Sequence, residues 1–186
     1  MKKFLMSAMA IVAVVFANAQ SEQTFKPFKV DIALGYAIPG GSGSKGGVLF
    51  AIEPKYALND QLTLGLRMET AITARATTVN GELMDGDVKG SGSYLATADY
   101  YFNTNGLRPF VGAGAGLFSN ASVDLNASSS DDVQTARKFG FMPRIGFETG
   151  HFRTAIEYNV AGKSGSVNNN YLGIKLGFFF GGGRLD

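Results

Sequence analysis

The chain of 186 residues has no cysteine and a single histidine, His151. Without cysteine there is no disulfide framework and no thiolate metal site, and one histidine cannot build a multi-histidine zinc centre. Past its first residues the chain also lacks any apolar run approaching the ~20 residues of a membrane-spanning helix. Any membrane crossing therefore has to be made by strands. An excess of charge is missing too. Setting aside Lys2 and Lys3 takes the 17 Lys and Arg to 15, against 15 Asp and Glu. The sequence pI of 8.8 then gives no argument for nucleic acid.

Residues 1–19 read as a secretory signal. Lys2 and Lys3 form its charged start, Phe4 to Phe16 its apolar centre, and Ala17-Asn18-Ala19 its small-residue cleavage site. The apolar centre is short for a membrane anchor. Residues 20–27 are expected to be a short lead-in, 28–180 a single domain, and 181–186 a tail.

What the domain does have is alternation. Lys29, Asp31, Glu53, Lys55, Arg67, Glu69, Arg75, Asp99, Arg108, Lys138, Arg144, Glu148, Arg153, Glu157 and Lys175 share a parity with Gly, Ala, Ser and Thr. The opposite parity carries Val30, Ile32, Leu34, Leu64, Leu66, Ile145, Ile156, Ile174, Leu176 and Phe178. Side chains alternate across a strand, so each segment has one apolar and one polar face. A soluble barrel of the ligand-carrying kind turns its apolar face inward. Here the charges take the inward parity, so the apolar face needs lipid as its solvent. Tyr36, Tyr56, Tyr94, Tyr100, Phe102, Phe152, Tyr158 and Phe180 share that outward parity, several near strand ends where interfacial girdles form.

Eight strands are expected, at 28–38, 47–57, 61–75, 92–102, 107–118, 137–148, 151–160 and 170–180. Most match the ~9–11 residues of a tilted membrane strand. Tight turns at Leu58-Asn59-Asp60, 103–106 and Thr149-Gly150 alternate with polar loops at 39–46, 76–91, 119–136 and 161–169. Short turns at one end and long loops at the other are the pattern of an outer-membrane barrel. The 25 glycines suit a narrow barrel that must leave room for bulky interior side chains.

The stretches Arg108-Pro109-Phe110-Val111-Gly112-Ala113-Gly114-Ala115-Gly116 and Tyr171-Leu172-Gly173-Ile174-Lys175-Leu176-Gly177-Phe178-Phe179-Phe180 resemble strands of the small eight-stranded outer-membrane barrels. That is the class of outer-membrane protein X and of the membrane domain of outer-membrane protein A. The resemblance covers about 28–180. It implies an all-β, eight-stranded antiparallel transmembrane barrel in the outer membrane, inserted as a monomer with outer-membrane lipid around it. The family often ends on an aromatic read by the insertion machinery. Here Phe180 would serve, although six residues follow it.

Other chemistry finds little support. Gly112, Gly114 and Gly116 echo part of a dinucleotide fingerprint, but no helix follows to meet a phosphate. His151 follows a tight turn, away from the outer rim where barrel enzymes hold their machinery, and the Ser-rich loops offer no base. Asp85-Gly86-Asp87 and Asp131-Asp132 lack calcium-loop spacing. No catalytic, cofactor or metal residue is expected.

The interior charges have two readings, a pore lining that sets ion selectivity or a packed network that fixes register. Eight strands enclose only enough space for side chains, which favours the packed, closed reading. Loops 76–91 and 119–136 are then the surface offered to an extracellular protein. The expected turns leave Glu148 diagonal to Arg153, Arg144 diagonal to Glu157, and Asp99 diagonal to Arg108. The alternatives are a narrow channel for ions or small solutes and, further off, a lipid-modifying enzyme.

Overall fold

A computed structural model describes residues 24–40, 44–79, 82–123, 134–164 and 167–185, with the side chains at 44, 74–89, 120–136, 164 and 167 left aside. The expected signal peptide at 1–19 lies outside these residues. The strands are β1 (Phe28–Pro39), β2 (Ser44–Ala57), β3 (Leu62–Val79), β4 (Glu82–Tyr101), β5 (Leu107–Val123), β6 (Gln134–Thr149), β7 (Phe152–Asn159), β8 (Lys163–Ser164), β9 (Val167–Asn168) and β10 (Tyr171–Gly181). Eight of them close into an antiparallel barrel in the order β1-β10-β7-β6-β5-β4-β3-β2, while β8 and β9 form a small separate hairpin.

Alternation decides which way each side chain points. Leu34, Leu66, Ile156, Leu176 and the aromatics Tyr36, Tyr94 and Phe180 stand exposed on the outer wall, with Phe139 at 75% the most exposed of the large apolar residues. Arg67, Glu157, Asp99 and Arg144 on the other parity are buried. Burying this many charges while exposing this many large apolar groups suits a molecule whose outer wall meets hydrocarbon.

The strands are staggered. From Ile145, successive partners Ile156, Ile174, Tyr36, Val48, Ile72, Gly90 and Ala121 lead round the barrel to Thr135, ten residues back along β6. In a closed sheet such a stagger goes with strands tilted by about 35–45°. Tilt moves neighbouring charges to different heights, so carboxylates and cations from non-adjacent strands meet across the lumen.

Three expectations need correction. First, 76–91 and 119–136 are not loops throughout. Ala76–Val79 pairs with Glu82–Asp85, and Val88–Ser91 pairs with Asn120–Val123. On the other side of β5, Ser119–Ser122 pairs with Gln134–Arg137. Above a bilayer a hairpin needs no apolar face, so backbone pairing continues after the alternation stops. Second, the two-residue turn is Gly150-His151, closed by Thr149 and Phe152, with Gly150 at φ 56°. Glycine takes that left-handed conformation at little cost. Glu148 therefore lies directly opposite Arg153, and Arg144 directly opposite Glu157, in place of the diagonal relations. Third, Tyr101 lies opposite Phe110, so Asp99 faces Gly112 and is not diagonal to Arg108. Pro109 has no N–H to give, and its carbonyl accepts from the Phe102 N–H at 3.1 Å at that end of the hairpin.

The chain ends are also organised. Phe25 bridges Arg184, the Lys26 N–H donates to the Gly183 carbonyl, and the Leu185 N–H donates to the Thr24 carbonyl. The lead-in and the tail thus pair beneath the short-turn end of the barrel.

Candidate functional site

The site is the barrel interior, and tilt sorts it into levels. Near the short-turn end Glu148 (β6) accepts hydrogen bonds from Lys29 (β1), Arg153 (β7) and the Tyr101 hydroxyl (β4). Arg153 also reaches Asp99 at 2.8 Å and Asp31 at 3.4 Å. At mid-height Lys55 (β2) lies 2.7 Å from Asp31, 3.0 Å from Asp99 and 3.5 Å from Glu53. Arg144 is the hub. Its guanidinium grips Asp99 at 2.7 and 3.0 Å and Glu53 at 2.7 and 2.9 Å, and reaches Glu157 at 3.4 Å.

Above this, Arg67 (β3) pairs with Glu157 and with Glu69 at 3.2 Å, and donates to Ser93 and Asn159. Lys175 (β10) bridges Glu69 at 2.9 Å and Glu157 at 2.7 Å, and the Tyr171 hydroxyl donates to Glu69. Each carboxylate is shared between cations from different strands. Removing a cation leaves a buried anion behind, which costs far more than losing an exposed ion pair.

The sequence-expected residues do not all join. Lys138 is half-buried at the far rim, where its ammonium donates to the Lys163 carbonyl. Arg75 lies in β3 opposite Ser44, and its side chain is outside the described set. Arg108 stands apart at the short-turn end, 3.9 Å from Glu148, with its closest bond a 2.6 Å one to the Asp60 carbonyl.

Above the charges lies a second layer that the charge pattern did not reveal. Leu49, Leu95, Phe118, Met142 and Tyr171 close over the network, with Ala37, Ala71 and Ala161 between them. They share the inward parity of the charges, and their signal was legible: large apolar residues on the polar parity, all toward the long-loop end. Close backbone approach is what lets the bulky groups in. A Cβ on Gly112 would stand 2.1 Å from Asp99 Oδ1 and 2.8 Å from the Ala98 carbonyl, so only glycine lets Asp99 swing toward Arg144.

Within the network, the gap lined by Asp31, Ala51, Glu53, Arg153, Glu157 and Lys175 measures about 20 Å³, room for about one water. Among the described residues no group of His, Asp and Glu could hold a metal ion. His151 Nδ1 lies 2.9 Å from the Phe179 carbonyl, and its ring stacks on Phe178. The arrangement can hold a wall in register and fill a lumen.

Comparison with known proteins agrees with this architecture. A family model described as outer membrane protein beta-barrel domain matches residues 7–180. Among solved structures, Neisserial surface protein A superposes with a TM-score of 0.57 at 22% identity, over 83% of this chain and 96% of its own. The outer membrane protein OprG from Pseudomonas aeruginosa gives 0.57 at 16% identity, over 84% and 97%. At such identities the likeness is one of fold. A search of curated proteins finds no significant match.

Proposed function

The chain belongs to the outer membrane protein β-barrel domain family, and from that premise we propose that it is a closed scaffold, a rigid outer-membrane wall that presents paired strands to the exterior. The observation that carries this reading is the filling of the lumen. Among the described residues six buried cations and six buried carboxylates interlock through its middle, and Phe118, Met142, Leu95 and Leu49 cover them on the long-loop side. A conducting path would need a file of water through both layers.

The network's role in this reading is structural. It holds the stagger and blocks the pore, and no member is a catalytic group. The protein is exported by the signal at 1–19, inserts as a monomer, and puts the short turns and both chain ends in the periplasm. The β3–β4 and β5–β6 hairpins, which keep pairing past the apolar belt, form the surface for an extracellular partner. The lipid-modifying enzyme is the less favoured reading: the single histidine, His151, stacks on Phe178 at the end away from the long loops.

Planar-bilayer recording of the purified wild-type barrel tests this. Silence at ordinary voltages is the expected result. Stable openings would replace the scaffold with a channel, and altered lipid acylation in cells lacking the gene would replace it with an enzyme.

A further inference from the structure

One carboxylate of the interior is only half answered. Asp31 on β1 is buried, and both cations near it meet the same oxygen: Lys55 lies 2.7 Å and Arg153 3.4 Å from its Oδ2. Its Oδ1 is buried with no hydrogen-bond partner among the described residues. A bare acceptor in the interior is costly. A donor nearby is also unspent. The Lys175 ammonium on β10 has three N–H groups, and it meets two carboxylates, Glu69 at 2.9 Å and Glu157 at 2.7 Å.

Asp31 and Lys175 both line the gap of about 20 Å³. Between them on the wall lies Ala33 opposite Gly177, one same-face step above Asp31 and one below Lys175. These small residues, with Ala51 opposite Ala33 on β2, leave the space open. The other polar groups around it are already engaged. Arg153 gives its terminal N–H groups to Glu148, Tyr101 and Asp99. Glu53 is held by Arg144 and the Thr97 hydroxyl. Glu157 Oε1 has Arg144 alone, at 3.4 Å, among the described residues.

We propose that the gap is a hydration site for one water, which accepts from Lys175, donates to Asp31 Oδ1 and gives its second hydrogen to Glu157 Oε1. Three bonds are the usual complement of a buried water, and the volume admits a single one. The consequence is for barrel closure. β1 and β10 are the first and last strands of the wall and lie side by side, yet among the described residues no ion pair joins them directly. The water supplies that tie, from Asp31 on one to Lys175 on the other. The inference is independent of whether the barrel conducts.

The test counts water itself. Oxygen-17 magnetic relaxation dispersion of the mature protein in detergent micelles registers long-lived waters and is blind to the exchanging protons of Lys175. Ala33→Val fills the gap with carbon and should remove one long-lived water from the wild-type count. Ala51→Val, entering from the neighbouring strand, should remove the same one without touching β1. Stability gives a second readout through Ala33→Ser, whose hydroxyl stands in the same space and can donate to Asp31. Valine at 33 should raise the unfolded-to-folded ratio in urea by about ten-fold or more relative to serine, the size expected of a buried acceptor left without a donor. A boiled-versus-unboiled gel shift shows that each variant is folded. An unchanged water count in the folded valine variants, or an Ala33→Val protein as stable as Ala33→Ser, would overturn the site.

Discussion

Arg144→Met removes the hub of the interior, and the distances say which partner suffers. Asp99 keeps Lys55 at 3.0 Å and Arg153 at 2.8 Å. Glu157 keeps Lys175 at 2.7 Å as well as Arg67. Glu53 keeps only Lys55 at 3.5 Å and the Thr97 hydroxyl. Most of the penalty should therefore fall on Glu53, and the single substitution should cost ~3–5 kcal/mol, as an orphaned buried charge does. Adding Glu53→Leu should recover part of that loss. A double-mutant cycle on the pair should give a coupling of ~2–3 kcal/mol, against ~1 kcal/mol or less for Arg144 with Glu157, which sits at 3.4 Å. The assay is reversible urea unfolding in lipid vesicles, followed by circular dichroism and gel mobility. Simple additivity of Arg144→Met and Glu53→Leu would refute the reasoning, because it would mean the two groups do not share a buried bond.

Gly112→Ala puts a methyl where Asp99 Oδ1 now lies, so it should cost ~1–3 kcal/mol in the same unfolding assay, while Gly106→Ala, open on all sides, should cost less than 1 kcal/mol by the same rule for surface changes. An epitope at Asn103-Thr104-Asn105 should stay hidden on intact cells and appear once the outer membrane is broken; a protease site placed between Val123 and Gln134 should be cut from outside. The mature chain should form strand-rich monomers in detergent or lipid and fail to do so in plain buffer at neutral pH.

The number of strands and the direction of each face were legible because charges mark the inward parity in every segment. Leu66 beside Arg67, or Ile156 beside Glu157, is enough to orient a strand once its solvent is chosen. Strand ends were less legible. Ala76–Val79 and Asn120–Val123 are paired in the sheet, yet their sequences carry no alternation of apolar and polar residues to announce it. Registers failed for a different reason. Thr149-Gly150-His151 offers two placements of a two-residue turn, and moving between them shifts every pair by two residues without changing a face. The sequence could thus say that Arg144 and Glu157 share the interior, but not whether they meet directly. Cross-lumen contacts such as Arg144 with Glu53 or Lys29 with Glu148 depend on stagger, which only the closed barrel defines. The pairing of Phe25 with Arg184 left no pattern to read, since it joins two short irregular ends.

The most direct test of the account compares leucines that differ only in the face they occupy. Leu34, Leu66 and Leu176 are exposed on the outer wall, whereas Leu49 and Leu95 are sealed inside. In methyl-labelled protein reconstituted into lipid nanodiscs, the first three should show nuclear Overhauser contacts to acyl-chain protons, and the last two should show none. Acyl contacts at Leu49 and Leu95, with the outer three silent, would contradict the claim that this barrel turns its charges inward and its apolar face to lipid.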